Sequence, residues 1–223
     1  MIIINDLEKV PAAGNGRVLM IGNFDGFHRG HQALLKAASA IAKDLGAEVS
    51  ALTPSPHPRL FFAPHKPLTL LTPGWLKYRT MASYGLETAL VPRFDARFAS
   101  LEPEDFTLNL LIDHLNARHI VVGEGFRFGH KRRGDTDMLT RLGRDKGCGV
   151  TALPPVKVAG DICSSTRIRD YVATQNMAGA EQLLGHALPI TRQPDRTTNR
   201  KAARMASRHD TWFGLPEHPQ PAL

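Results

Sequence analysis

Cysteine is nearly missing: Cys148 and Cys163 are the only two in 223 residues. They make neither a CxxC pair nor a zinc-ligand spacing, which excludes a disulfide framework and points to a reducing compartment. Long apolar runs are missing too, and none approaches the length a bilayer requires, so no membrane partner is expected. The opening residues Met1-Ile2-Ile3-Ile4-Asn5-Asp6 lack the basic region and apolar stretch of an export signal, and a cytoplasmic protein is the expectation. No GxxxxGK[ST] loop is present, which disfavours P-loop kinases and ATPases. A Ser-His-Asp elbow and a zinc-ligand cluster are also lacking.

The chain that remains is 42% hydrophobic and 22% charged, long for one average domain and short for two. One α/β domain with an appendage is the natural reading, large enough to bury a core without staples. The formal charge of +7 is unevenly placed. Arg192, Arg196, Arg200, Lys201, Arg204 and Arg208 stand against Asp195 alone, so this stretch holds five of the seven net charges. The body is close to neutral, and the basic pI is no sign of a nucleic-acid-binding domain. From about residue 189 the periodic hydrophobicity ends and Arg, Pro, Thr and His take over. Residues 1–187 are expected to form the domain and 188–223 a basic, mobile, disordered tail. Its arginines recur every fourth residue with no apolar stripe beneath them, so only weak, salt-sensitive contact with nucleic acid or another anion is expected.

Within the body, short apolar runs alternate with helix-like segments. Strands are predicted over residues 17–22, 48–53, 87–91, 119–123 and 149–153. Helices are predicted over 31–45, 73–84, 103–116 and 136–146. This alternation implies a Rossmann-like, doubly wound parallel sheet of about five strands, with ligands beyond the strands' carboxyl ends. Chemistry is therefore expected just after Ile21, Thr53, Val91, Val122 and Leu153.

Four segments at such positions carry suitable residues. Gly22-Asn23-Phe24-Asp25-Gly26-Phe27-His28-Arg29-Gly30-His31 follows the first strand and enters a helix. Its glycines allow tight turns, the helix start offers amides to an anion, and His28 and His31 can donate to phosphate oxygens or, protonated, offset their charge. Ordinary loop histidines, or a metal site of Asp25, His28 and His31, are the competing readings. Thr53-Pro54-Ser55-Pro56-His57-Pro58-Arg59-Leu60-Phe61-Phe62 joins stiff prolines to apolar rings and a cation, a stacking site for a flat heteroaromatic or else a Pro-rich connector. Gly123-Glu124-Gly125-Phe126-Arg127-Phe128-Gly129-His130-Lys131-Arg132-Arg133 misses the dinucleotide glycine spacing. It interleaves aromatic and basic side chains, which suits an anionic aromatic substrate or a solvated loop. Ser164-Ser165-Thr166-Arg167-Ile168-Arg169 brings hydroxyls and arginines to a helix start, a second phosphate cradle or a plain N-cap.

Taken in order, these segments resemble one family. The first looks like the HxGH signature of nucleotidylyltransferases in the form found in bacterial FAD synthetases. Pro56-His57-Pro58-Arg59, Leu70-Leu71-Thr72, Gly123–Gly129, Ser164–Arg169 and Leu183-Leu184-Gly185 follow in the family's order. The chain resembles the FMN adenylyltransferase module of bifunctional riboflavin kinase/FAD synthetases, without the kinase module. The resemblance implies ATP + FMN → FAD + diphosphate with Mg²⁺. It implies ATP contacts from Gly22, Asn23, Phe24, Asp25, Gly26, His28, Gly30, His31, Ser164, Ser165, Thr166 and Arg169, with His28, His31 and Arg169 catalytic. FMN contacts would come from Pro56, His57, Pro58, Arg59, Phe61, Gly125, Phe126, Arg127 and Phe128. Two positions depart from the family pattern: Ser55 replaces an acid, and Gly125 replaces Asp or Asn. A nucleotidylyltransferase with another phosphorylated acceptor, or a weakened flavin- or nucleotide-binding regulator, are the alternatives.

Overall fold

A computed structural model describes residues 1–188; the basic segment beyond them lies outside the described residues, and with it the expectation of a mobile tail. Six parallel strands form the main sheet: β1 (Ile2–Ile4), β2 (Arg17–Ile21), β3 (Glu48–Leu52), β4 (Thr88–Leu90), β5 (Ala117–Gly123) and β6 (Gly149–Leu153), in the order β1-β4-β3-β2-β5-β6. The doubly wound sheet is thus observed, with six strands rather than about five. The extra one is β1, which pairs Ile2–Ile4 with Thr88–Leu90 at the sheet edge. Three residues are too few to show a strand period, so Met1–Asp6 carried no readable signal.

Strand β2 is buried along its whole length and its side chains divide between two cores. Val18 and Met20 pack with Leu34, Leu35, Ala38 and Ala42 of α1 (Arg29–Leu45) and Met81 of α3 (Trp75–Ser83). Leu19 and Ile21 face the other way, toward Phe106, Leu111 and Leu115 around a π-helix over Asp105–His114 and Leu139 of α5 (Thr136–Asp145). The period of two along a strand sends alternate residues to opposite faces, and a helix layer covers each face.

Sequence and structure differ at several boundaries. Helix α1 begins at Arg29, two residues before the start at residue 31 that the periodicity predicts, with His28 as N-cap. The Pro-rich connector contains a short helix α2 (Pro58–Phe62) with proline in its first turn. Beyond β6, strands β7 (Lys157–Val158) and β8 (Asp161–Ile162) form an antiparallel hairpin. Its two turn residues, Ala159 and Gly160, both have positive φ, the turn geometry that fits the twist of a tight hairpin. A third core lies past the sheet, where Leu71 and Cys163 meet Ile168 of α6 (Ser165–Ala173) and Ala180, Leu183 and Leu184 of α7 (Met177–Leu184). The small helix α4 (Ala96–Ala99) follows β4.

Strands β3 and β4 lie on one side of β2, whereas β5 and β6 lie on the other. The order reverses between β2 and β5, and in such sheets the crevice opens beyond the strand ends at that reversal. Ile120, fully buried on β5 and paired with Leu19 and Val150, helps to set the two strands that frame it. Ile120→Ala should therefore lower the unfolding free energy by about 2–5 kcal/mol. Urea denaturation is the check, and an unchanged slope with a lower midpoint is the expected form.

Candidate active site

The loop from Gly22 to His28 connects β2 to α1 and is built tightly. Phe24 and Phe27 hold positive φ and are completely buried, so packing maintains a backbone that large side chains otherwise avoid. Gly26 has φ +84°, and a Cβ there would lie 2.8 Å from Leu71. Gly30 has a different reason: a Cβ would meet the His28 ring at 3.0 Å. The spacing His-x-Gly-His thus lets the two imidazoles come together, and their rings stack at 3.6 Å with 21° between planes.

Both histidines are titrated away from charge. Burial pushes His28 down to about 4, partly countered by Asp25 and reinforced by Arg169. Burial pushes His31 well below its usual value, with His28 and Lys77 adding to the effect. At neutral pH the pair is two neutral imidazoles, so the protonated form considered from sequence is not the resting form. Each Nδ1 is shut off from solvent and has no hydrogen-bond partner among the described residues. Neutral rings can still donate a hydrogen bond, whereas two stacked imidazolium rings would repel.

Asp25 ties this loop to the rest of the site. It is 2% exposed, and its carboxylate accepts from the amides of Thr72 (2.9 Å) and Leu71 (3.2 Å) and from Arg169 Nη2 at 2.5 Å. Thr72 Oγ1 accepts from the amide of Gly26 at 2.8 Å, and Ser165 Oγ donates to the carbonyl of Asp25 at 2.8 Å. Arg169 Nε donates to the carbonyl of Thr69 at 2.8 Å. The Leu70-Leu71-Thr72 segment and the start of α6 are therefore locked onto the phosphate-loop segment. Ser164 is the N-cap of α6, its side chain accepting from the amide of Arg167 at 3.1 Å. Two helix starts, α1 and α6, converge on one point, and Thr166 and Arg169 border a smaller cavity of about 330 Å³ beside Arg59.

The large cavity, about 980 Å³, opens at the strand-order reversal. Ile21, Gly22 and Asn23 reach it from β2, and Gly125, Phe126, Arg127 and Phe128 from beyond β5. Pro58, Arg59 and Phe61 line it from α2, whereas Pro56 and His57 do not. His57 instead caps α2, its Nδ1 accepting from the amide of Arg59 at 3.1 Å. The guanidinium of Arg127 pairs with Asp135 at 3.1 Å. Gly125 stands in open space, with nothing within 4 Å of a Cβ built on it.

Phenylalanines that sequence reasoning did not assign complete the wall. Phe61 meets Phe94 edge-on at 5.5 Å, Phe94 meets Phe98 at 5.8 Å, and Phe98 meets Phe106 at 6.1 Å. The series continues through Phe128 to Phe126, whose rings stack at 5.5 Å. Phe94 follows β4, one of the strand ends marked as a chemistry position, and Phe94 and Phe98 stand four apart. That was the available signal. Lys77 was missed as well. From α3 its Nζ donates to Thr53 Oγ1 at 3.0 Å, and Thr53 in turn donates to the carbonyl of Asn23 at 3.2 Å.

Among the described residues no group of three His, Cys, Asp or Glu side chains is placed to hold a metal ion. Asp25, the acid nearest the histidines, has both oxygens engaged by amides and Arg169. No helix among the described residues is long and apolar enough to cross a membrane.

Residues 10–167 match a family profile described as FAD synthetase. A bifunctional riboflavin kinase/FMN adenylyltransferase of Escherichia coli (strain K12) is 38% identical over 188 residues, covering 84% of this chain and 59% of that protein. An FAD synthetase of Listeria monocytogenes is 38% identical over 175 residues, covering 78% of this chain and 70% of its own length. The chain thus spans about six-tenths of the length of the bifunctional relatives. A solved structure described as a macrolide-efflux protein from Streptococcus pneumoniae superposes with a TM-score of 0.73 at 28% identity, over 84% of this chain and 62% of that one. Pantoate-beta-alanine ligase from Francisella tularensis, solved with an ATP analogue and beta-alanine, shares the fold alone, at a TM-score of 0.52 and 15% identity over 93% of this chain and 85% of that one. With its profile match running through the phosphate loop, the aromatic cavity and the start of α6, this chain belongs to the FAD synthetase family.

Proposed function

We propose that this chain transfers the adenylyl group of ATP to FMN, giving FAD and diphosphate. The observation that carries the reading is two chemistries side by side at the strand-order reversal. The cavity wall is a run of phenylalanine rings, and Gly22 and Asn23 at its edge lead into the loop that ends in the stacked His28–His31 pair at the start of α1. A flavin ring fits the first, and a phosphate chain fits the second. Family membership supports the same pair of substrates. In-line attack by the FMN phosphate on the α-phosphorus needs positioning and charge stabilisation more than covalent help.

In this reading the amides at the start of α1 and the neutral His28 and His31 hold the ATP phosphates. Gly22 and Asn23 lead from the cavity to them, Gly26 lets the loop pack against Leu71, and Phe24 and Asp25 fix the loop. Ser164, Ser165 and Thr166 present the start of α6 to the diphosphate end, with Arg169 holding that start against Asp25. The flavin lies among Pro58, Arg59, Phe61, Phe126 and Phe128, with Pro56 and His57 shaping α2 behind them. The described residues build no cage for Mg²⁺, so it enters as the counter-ion of ATP. The reaction belongs in a reducing, cytoplasmic setting, with residues 1–187 as the catalytic domain.

The direct test is incubation with ATP, Mg²⁺ and FMN, with FAD separated chromatographically and diphosphate counted. Appearance of both in equal amounts is the expected result, and neither product would overturn the reading. His28→Ala and His31→Ala should each lower kcat on the order of a hundredfold while KM for ATP changes little. Steady-state kinetics separates the two, and a change confined to KM would mean the rings act only in the ground state.

A second reading, a different phosphorylated acceptor, is favoured by one observation: Gly125 puts no side chain at the cavity rim where the family has Asp or Asn. Space for one is open, so Gly125→Asn should fold normally. It should tighten FMN severalfold if FMN is the acceptor, because a polar edge of the flavin gains a partner. Titration of FMN fluorescence checks this. Unchanged or weaker binding would favour the other acceptor.

A further inference from the structure

The proposed transfer gathers negative charge, and the other cations of the site are paired, uncharged at rest or exposed, as are Lys131 and Arg132 in the cavity lining. In the step, an FMN phosphate oxygen forms a bond to the α-phosphorus as the bond to the bridging oxygen breaks. The electron pair leaves with diphosphate, and charge builds on the oxygens between. His28 and His31 are neutral at rest. Arg169 is paired with Asp25, and Arg127 with Asp135. Arg59, at the cavity's edge, is exposed.

Lys77 differs from all of these. Its ammonium reaches in from α3 to the end of β3, and its only hydrogen-bond partner among the described residues is the hydroxyl of Thr53. No carboxylate lies within ion-pair distance of it among those residues. Thr53 is itself hydrogen-bonded to the carbonyl of Asn23, inside the phosphate loop. The titratable groups whose charge it feels, or which feel its charge, are Asp25 of that loop, His31 of α1 and His57 of the Pro56–Arg59 segment. On its own helix, the Tyr78 ring lies 5.1 Å away. A partly buried ammonium with one neutral partner is a charge without its counter-ion. His31, whose titration feels the Lys77 charge, has a buried Nδ1 with no partner among the described residues, so the same spot also holds an unmet polar group.

We propose that Lys77 is a further catalytic residue, whose ammonium leaves Thr53 to donate to the phosphoryl oxygens of the transferring group. This rests on the adenylyl-transfer reading for its reaction, and on geometry alone for its anion. No proton moves in the step; Lys77 supplies charge. Burial brings its titration down to about 8, so the free protein loses the cation as pH rises through that value. An arginine in its place stays charged throughout.

The test compares the wild type with Lys77→Met and Lys77→Arg, using FAD formation and calorimetric binding of inorganic triphosphate. Lys77→Met should lower kcat at least fiftyfold and weaken triphosphate about tenfold. Lys77→Arg should recover most of the binding. The wild type's kcat/KM should fall above pH 8, and that of Lys77→Arg should persist to pH 9. If Lys77→Met fails to fold by near-ultraviolet circular dichroism, the contrast in pH profile between wild type and Lys77→Arg decides alone. Wild-type protein that binds triphosphate, loses it on Lys77→Met, but makes no FAD would overturn the FMN reading and leave Lys77 an anion ligand. The proposal is overturned if Lys77→Met stays within threefold in both measurements, if the two pH profiles coincide, or if wild-type protein binds no triphosphate.

Discussion

A buried carboxylate organises the site. Asp25 would be costly in the interior if it were not fully partnered, and its partners come from two segments remote from it in sequence, Leu71-Thr72 and Arg169. Removing one member of such a cluster typically costs about 3–5 kcal/mol, because the remaining charge is left buried and alone. The Asp25 network therefore does more than brace a loop. It fixes where α6 begins relative to α1, and so where two sets of helix-start amides meet. A phosphate chain needs those amides at a fixed separation, and a flexible loop could not supply it.

The same network shapes the electrostatics. Using Arg169 to neutralise Asp25 leaves the histidines among donors, with Lys77 the nearby cation that has no carboxylate partner among the described residues. Low solvent access then keeps both histidines neutral, which permits their stacking at 3.6 Å. Hydrogen-bond donors held in place before substrate arrives are worth more in such surroundings than mobile charges, since nothing has to reorganise during reaction. A tightly packed loop with positive φ at Phe24 and Phe27 is the structural cost of holding them there.

Much of this was readable from the residues. The alternation of strands and helices pointed to the doubly wound sheet, and glycines beside histidines after the first strand pointed to the tight loop in which the two imidazoles stack. What escaped had physical reasons. Strand β1 is too short for a period, and nothing in the apolar pattern of Asp105–His114 marks a helix whose hydrogen bonds reach the fifth residue instead of the fourth. Phe94, Phe98 and Phe106 look like core residues in one dimension, and only their meeting at the mouth of the sheet gives them a wall to form. Lys77 sits on a weakly amphipathic segment where a lysine is unremarkable, and its burial depends on Thr53, twenty-four residues earlier. Asp25 was noticed for its motif, but its partners are forty-six or more residues distant.

The two halves of the cavity inherit their rigidity from different cores. Phe24 and Phe27 anchor the phosphate loop in the layer beneath α1 and α3, whereas Phe106 and Phe128 belong to the opposite layer. The two layers lie on opposite faces of the sheet, and β2 contributes to both. A disturbance in one layer can reach the other through β2 and its neighbours, whose side chains alternate between them. The proposed flavin wall can thus be altered at the rim, where Gly125 stands in open space, without loosening the loop over residues 22–28 that is proposed to hold the phosphates.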